Sequence, residues 1–126
     1  MSTANPSILN YEHTDWLKAI DFYKEDLTIL QKRLAEVSFK NTSKEAMAGV
    51  EHFQNQFIIQ RNNLDELRHY INEHIQHFVQ DITKHEDYVV PAIADEHARR
   101  KDEFESLEKV MADLRHEFND FLAKWM

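Results

Sequence analysis

Residues 13–37, HTDWLKAIDFYKEDLTILQKRLAEV, decide the fold. Counting from His13, the seam residues are Trp16, Ile20, Tyr23, Leu27, Leu30, Leu34 and Val37, at steps that alternate three and four. A helix puts such residues on one stripe, whereas a strand would alternate every second residue. The stripe predicts one long amphipathic helix, and Leu17 widens it. Upstream, Asn5-Pro6 can cap and open the helix, because Asn accepts from free backbone amides and Pro fits the first turn. Downstream, Lys40-Asn41 suits a helix end with Asn41 in the left-handed conformation.

Thr42-Ser43-Lys44-Glu45 then reads as a capping box with Thr42 at the cap. The second seam is Val50, Phe53, Phe57, Leu64, Leu67, Ile71, Ile75, Phe78 and Ile82. It weakens around Gln60-Arg61-Asn62-Asn63. Asn63 with Glu66 could open a further helix there, but nothing forces a turn. Pro91 cannot sit inside a regular helix and biases Val90 towards extended backbone, which places a connection at 85–94. The last seam is His97, Arg100, Phe104, Leu107, Met111, Leu114, Phe118, Phe121 and Trp125. The fold expected is all-α: a single domain over 1–126, an up-down antiparallel bundle of three long helices at about 6–39, 43–84 and 92–126. The alternative is four helices with a break near Asn62-Asn63. One glycine and two prolines in 126 residues agree, since many-turned β folds consume both.

The net charge of −8 disfavours nucleic acid and anionic membrane as partners. Without cysteine, thiolate catalysis and Cys-based metal sites are excluded. No apolar run approaches the roughly 20 residues of a membrane span. The first residues show no basic region followed by an apolar stretch, so no signal peptide is expected and the cytoplasm is the default location. No activated serine, glycine-rich elbow or phosphate loop is present, so the chain is read as non-catalytic.

Eight histidines are the chemical lead. Histidine is the commonest protein ligand for transition metals, and bundles build metal sites from inward-facing His and Glu. His13, His74 and His97 fall on seam positions, His69 and His116 on outward ones, and His52 lies off the main seam. With the turns centred near 41 and 89, the three seam histidines project to about 69, 74 and 81 along the second helix, spread over roughly 18 Å, too far for one ion. His77, Asp81 and His85, spaced by four, share one helix face beside His74. The metal ligands expected are therefore His74, His77, Asp81, His85 and His97, with Glu86 as a further candidate and iron or zinc as the ion. Glu66-Leu67-Arg68-His69 has the Glu-x-x-His spacing of di-iron bundles. Its only second copy, Asp113 to His116, carries Asp, and both point outward, so that reading is rejected.

The segment His85-Glu86-Asp87-Tyr88-Val89-Val90-Pro91-Ala92-Ile93, with His97 and Asp102 beyond it, resembles the hemerythrin-like (HHE) helical bundles. His52 with Gln56 stands where that family has His-x3-Glu, and His97 with Asp102 looks like its His-x4-Asp element. The resemblance thus implies His13, as the first-helix ligand, and Asp102 as further candidate ligands. The resemblance implies a non-haem iron pair and a role in oxygen or redox sensing or iron handling. The chain departs from the pattern at Gln56, where a bridging carboxylate is expected, and at His74 and His77, which are three apart instead of four.

Two functions are consistent with these features. One is association, as a homodimer or larger homo-oligomer or with a partner protein's helix, through the off-seam residues Phe22, Ile29, Ile58, Ile59 and Val79. The other is metal binding. A pH-responsive assembly, loosened when buried seam histidines charge, is a variant of the first.

Overall fold

The computed structural model describes residues 5–85 and 88–126. They form the expected three-helix bundle: α1 Pro6–Lys40, α2 Lys44–Lys84 and α3 Pro91–Trp125, each in contact with the other two. No strand occurs among the described residues. None of their helices is long and apolar enough to cross a membrane.

The helix ends follow from local chemistry, with two corrections. Asn5 caps α1 as expected, its side chain accepting from the Ser7 and Ile8 amides at 2.9 and 3.4 Å. Asn41 is not left-handed but extended. Its side-chain amide instead donates to the Val37 and Trp125 carbonyls, both at 3.0 Å, and so fastens the end of α1 to the end of α3. At α2 the cap is Ser43, not Thr42: its hydroxyl accepts from the Ala46 amide at 3.1 Å, and Glu45 falls within the first turn. Pro91 opens α3 at its first position, where the missing N–H costs nothing.

α2 is continuous, so the four-helix alternative fails. The seam that weakens after Phe57 runs on through Gln60, which is buried and accepts from the Asn63 amide at 3.3 Å. A paired amide occupies the place of an apolar residue without breaking the backbone ladder.

The seam residues make one main core from Trp16 to Val37 on α1, Val50 to Ile71 on α2 and Phe104 to Phe118 on α3. At one end Phe53, Phe57, Phe118 and Phe121 interlock, with ring centroids 5.1 to 6.1 Å apart. Gly49 leaves the space that the Phe121 ring fills. At the other end Leu9, Phe78 and Val89 form a smaller apolar cluster. Between that cluster and Trp16 lies a layer of three buried histidines. The off-seam residues Phe22, Ile29, Ile58, Ile59 and Val79 are all exposed.

Candidate metal centre

Each helix delivers one histidine to this layer: His13 from α1, His74 from α2 and His97 from α3. All three are buried, at 2%, 1% and 6% exposure. The His97 Nδ1 atom lies 3.2 Å from His13 Nε2 and 3.1 Å from His74 Nε2. One nitrogen from each ring falls within 4.8 Å of the other two. The expected separation of roughly 18 Å is thus overturned. That projection centred the turns near residues 41 and 89. With His13, His74 and His97 in contact, the points about which the helices reflect lie midway between the paired histidines, near residues 43.5 and 85.5. A shift of about three residues at each turn, in opposite senses, brings the three seam histidines level.

The outward nitrogens decide what the inward ones can do. His74 Nδ1 lies 2.7 Å from Glu96 Oε1, and His97 Nε2 lies 2.8 Å from Glu12 Oε1. A carboxylate can only accept, so each of these nitrogens carries the proton and donates. In the neutral rings His74 Nε2 and His97 Nδ1 are then bare lone pairs facing each other at 3.1 Å. His13 can donate to one of them through Nε2, which leaves its own Nδ1 an unpaired acceptor. If Nδ1 holds the proton instead, three lone pairs converge. His13 Nδ1 is buried without a partner in either case.

Protonation does not relieve this crowding. Burial, followed by the neighbouring His74 and His97, pushes the His13 imidazole down to about 3. Burial also lowers His74 and His97, outweighing the pull of Glu96 on the first and Glu12 on the second. The carboxylates behave oppositely. Burial alone would raise Glu12, but hydrogen bonds from His97 and Lys101 hold it below its ordinary range. His74 and His77 do the same for Glu96. The layer is therefore three neutral imidazoles backed by two carboxylates. Trp16 packs on His97 at 4.7 Å between centroids, and Phe78 meets His13 edge-on at 5.0 Å.

Of the expected ligands, His74, His97 and the further candidate His13 come together. His77 is half-exposed and touches the centre only through Glu96, its Nδ1 lying 3.1 and 3.0 Å from the two oxygens. His85 is the C-cap of α2 and lies 3.0 Å from the Asp81 carbonyl and 3.3 Å from its carboxylate. Asp81 and His85 thus make a helix-end pair outside the histidine layer. Asp102 lines a groove of about 720 Å³ between α2 and α3, with Gln60, Leu67, Tyr70 and Leu107. Glu86 lies outside the described residues. Neither Glu12 nor Glu96 is among the residues expected from spacing along the chain. The available signal is that each immediately precedes a seam histidine, in Glu12-His13 and Glu96-His97.

No family model matches the chain, and neither curated proteins nor solved structures give a match. The geometry alone carries the functional reading.

Proposed function

We propose that the bundle is a metal-binding protein that holds one divalent transition-metal ion between His13, His74 and His97. The observation that carries this reading is the pair of bare lone pairs, on His74 Nε2 and His97 Nδ1, held face to face at 3.1 Å in the interior. Two acceptors in that position repel unless a cation lies between them. Zinc–nitrogen bonds of about 2.05 Å in a tetrahedron put nitrogens about 3.3 Å apart, close to the spacing found here. The outer carboxylates fit as well. Metal-ligating histidines commonly donate their other N–H to a carboxylate, which fixes the ring and strengthens the donor. Glu12 and Glu96 do this for two of the three, and their two negative charges balance a divalent ion.

Three nitrogen donors with no carboxylate or thiolate among them suit zinc, copper, nickel or iron(II) as a single ion. That donor set favours one ion over the iron pair implied by the hemerythrin-like resemblance. The test is metal content after incubation with zinc(II) or iron(II) and removal of the excess. One ion per chain, lost in His74→Ala and His97→Ala but kept in His85→Ala, is expected. Equal uptake by all of them would remove the centre from consideration.

Self-association is the second reading. Phe22 and Ile29, seven residues apart on α1, are 61% and 57% exposed, and this uncovered apolar pair favours it. Sedimentation of wild type against Phe22→Asp tests it, with a fall in mass expected and an unchanged monomer contradicting it.

A further inference from the structure

Resting on the metal reading above, we infer that the centre leaves one coordination position for an exchangeable ligand from solvent: water or a small monodentate anion. A tetrahedral ion needs four donors. Among the described residues the convergent group holds three, one imidazole nitrogen from each helix. The carboxylates that hydrogen-bond these rings are already used on their far side. Glu12 accepts from His97 Nε2 through Oε1 at 2.8 Å and pairs with Lys101 Nζ through Oε2 at 3.2 Å. Glu96 accepts from His74 Nδ1 through Oε1 at 2.7 Å and pairs with His77 Nδ1 through Oε2 at 3.0 Å. Either could reach the metal only by abandoning the imidazole it orients. The chain has no cysteine to serve instead.

Structural zinc sites close with four protein donors, whereas sites with three keep a place for water or substrate. The donor count here belongs to the second kind. Three neutral imidazoles put no anionic donor on the ion itself, so the fourth position is open to water or a small anion. Trp16 and Phe78 pack against His97 and His13, so the histidine layer is bounded by aromatic rings.

The test loads the full chain with cobalt(II) and follows its visible absorption during titration with azide and with thiocyanate. Four-coordinate cobalt bands that shift and saturate at one anion per cobalt are expected. A reversible change near pH 7 is also expected, as the bound water loses a proton to solvent. Cobalt bands that ignore both anions would overturn the inference while leaving the metal reading intact. The inference also falls if the response appears only in Glu12→Gln or Glu96→Gln, because a carboxylate would then have filled the position. Failure of the chain to take up cobalt at all would sink both.

Discussion

The two ends of this bundle are built on the same seam and reach opposite results. At one end Phe53, Phe57, Phe118 and Phe121 fill the interior with interlocking rings, and Phe57 and Phe118 are fully buried. At the other, seam positions with the same spacing carry His13, His74 and His97, equally excluded from water. The phenylalanines leave nothing unsatisfied. The histidines leave facing lone pairs and an orphaned nitrogen, a state that costs stability unless something occupies the gap. Helical periodicity therefore decides which side chains are buried, and side-chain chemistry decides whether the buried set is complete without a ligand.

The largest contrast comes from removing one member of each end. Phe57→Ala should cost about 3–5 kcal/mol in chemical denaturation, since a large ring leaves a cavity in a closed core. Metal stoichiometry should stay unchanged. His74→Ala should abolish metal uptake, and with it the rise in melting temperature that a ligand specific for the native state confers. A Phe57→Ala protein that lost its metal while still folded would mean that the two ends are not separable.

Of intermediate size is the loss of an orienting carboxylate. Glu96→Gln keeps the shape but weakens the acceptor for His74, and should lower metal affinity about 10- to 100-fold by competition titration. An unchanged affinity would show that Glu96 only decorates the surface.

His13→Leu sharpens the comparison from the other side, because it turns the histidine layer towards the apolar kind. Without metal, the variant should melt at or above the wild-type temperature, since an unpaired buried nitrogen costs about 1–3 kcal/mol. Its pH dependence should also be shallower. In the folded wild type all three imidazoles sit below their ordinary 6.5, so the unfolded chain takes up protons first as pH falls. Stability of the metal-free fold is complete above about 6.5 and declines below it, the His13 share continuing down to about 3. The lowered Glu12 and Glu96 add a further loss as pH falls through 4.5. Melting curves between pH 5 and 8 that coincide for wild type and His13→Leu would contradict this. The smallest effect belongs to the exposed histidines. His116→Ala should change stability by less than about 0.5 kcal/mol and leave metal uptake intact.

The bundle is legible in the sequence because its signals are local: three-and-four spacing, an Asn-Pro start and a proline at the second connection are each read within a few residues. The cap at Ser43 is easily misplaced because Thr42 beside it offers the same hydroxyl, and Asn41 ends α1 where expected but with extended backbone, its side chain tied to Val37 and Trp125. The centre is half legible. His13, His74 and His97 stand out on the seams. Their meeting depends on the axial offset between neighbouring helices at the two turns, and no periodicity records that offset. Glu12 and Glu96 act across helices, so their roles appear only once the register is known.

The central claim is tested most directly by calorimetric titration of metal-free protein with zinc(II). The proteins compared are wild type, the His77→Ala/His85→Ala double variant and the His74→Ala/His97→Ala double variant. One zinc per chain in the first two, and none in the third, is the result predicted. Zinc binding lost with His77 and His85 but retained without His74 and His97 would move the centre to the solvent-facing end of α2 and contradict the account.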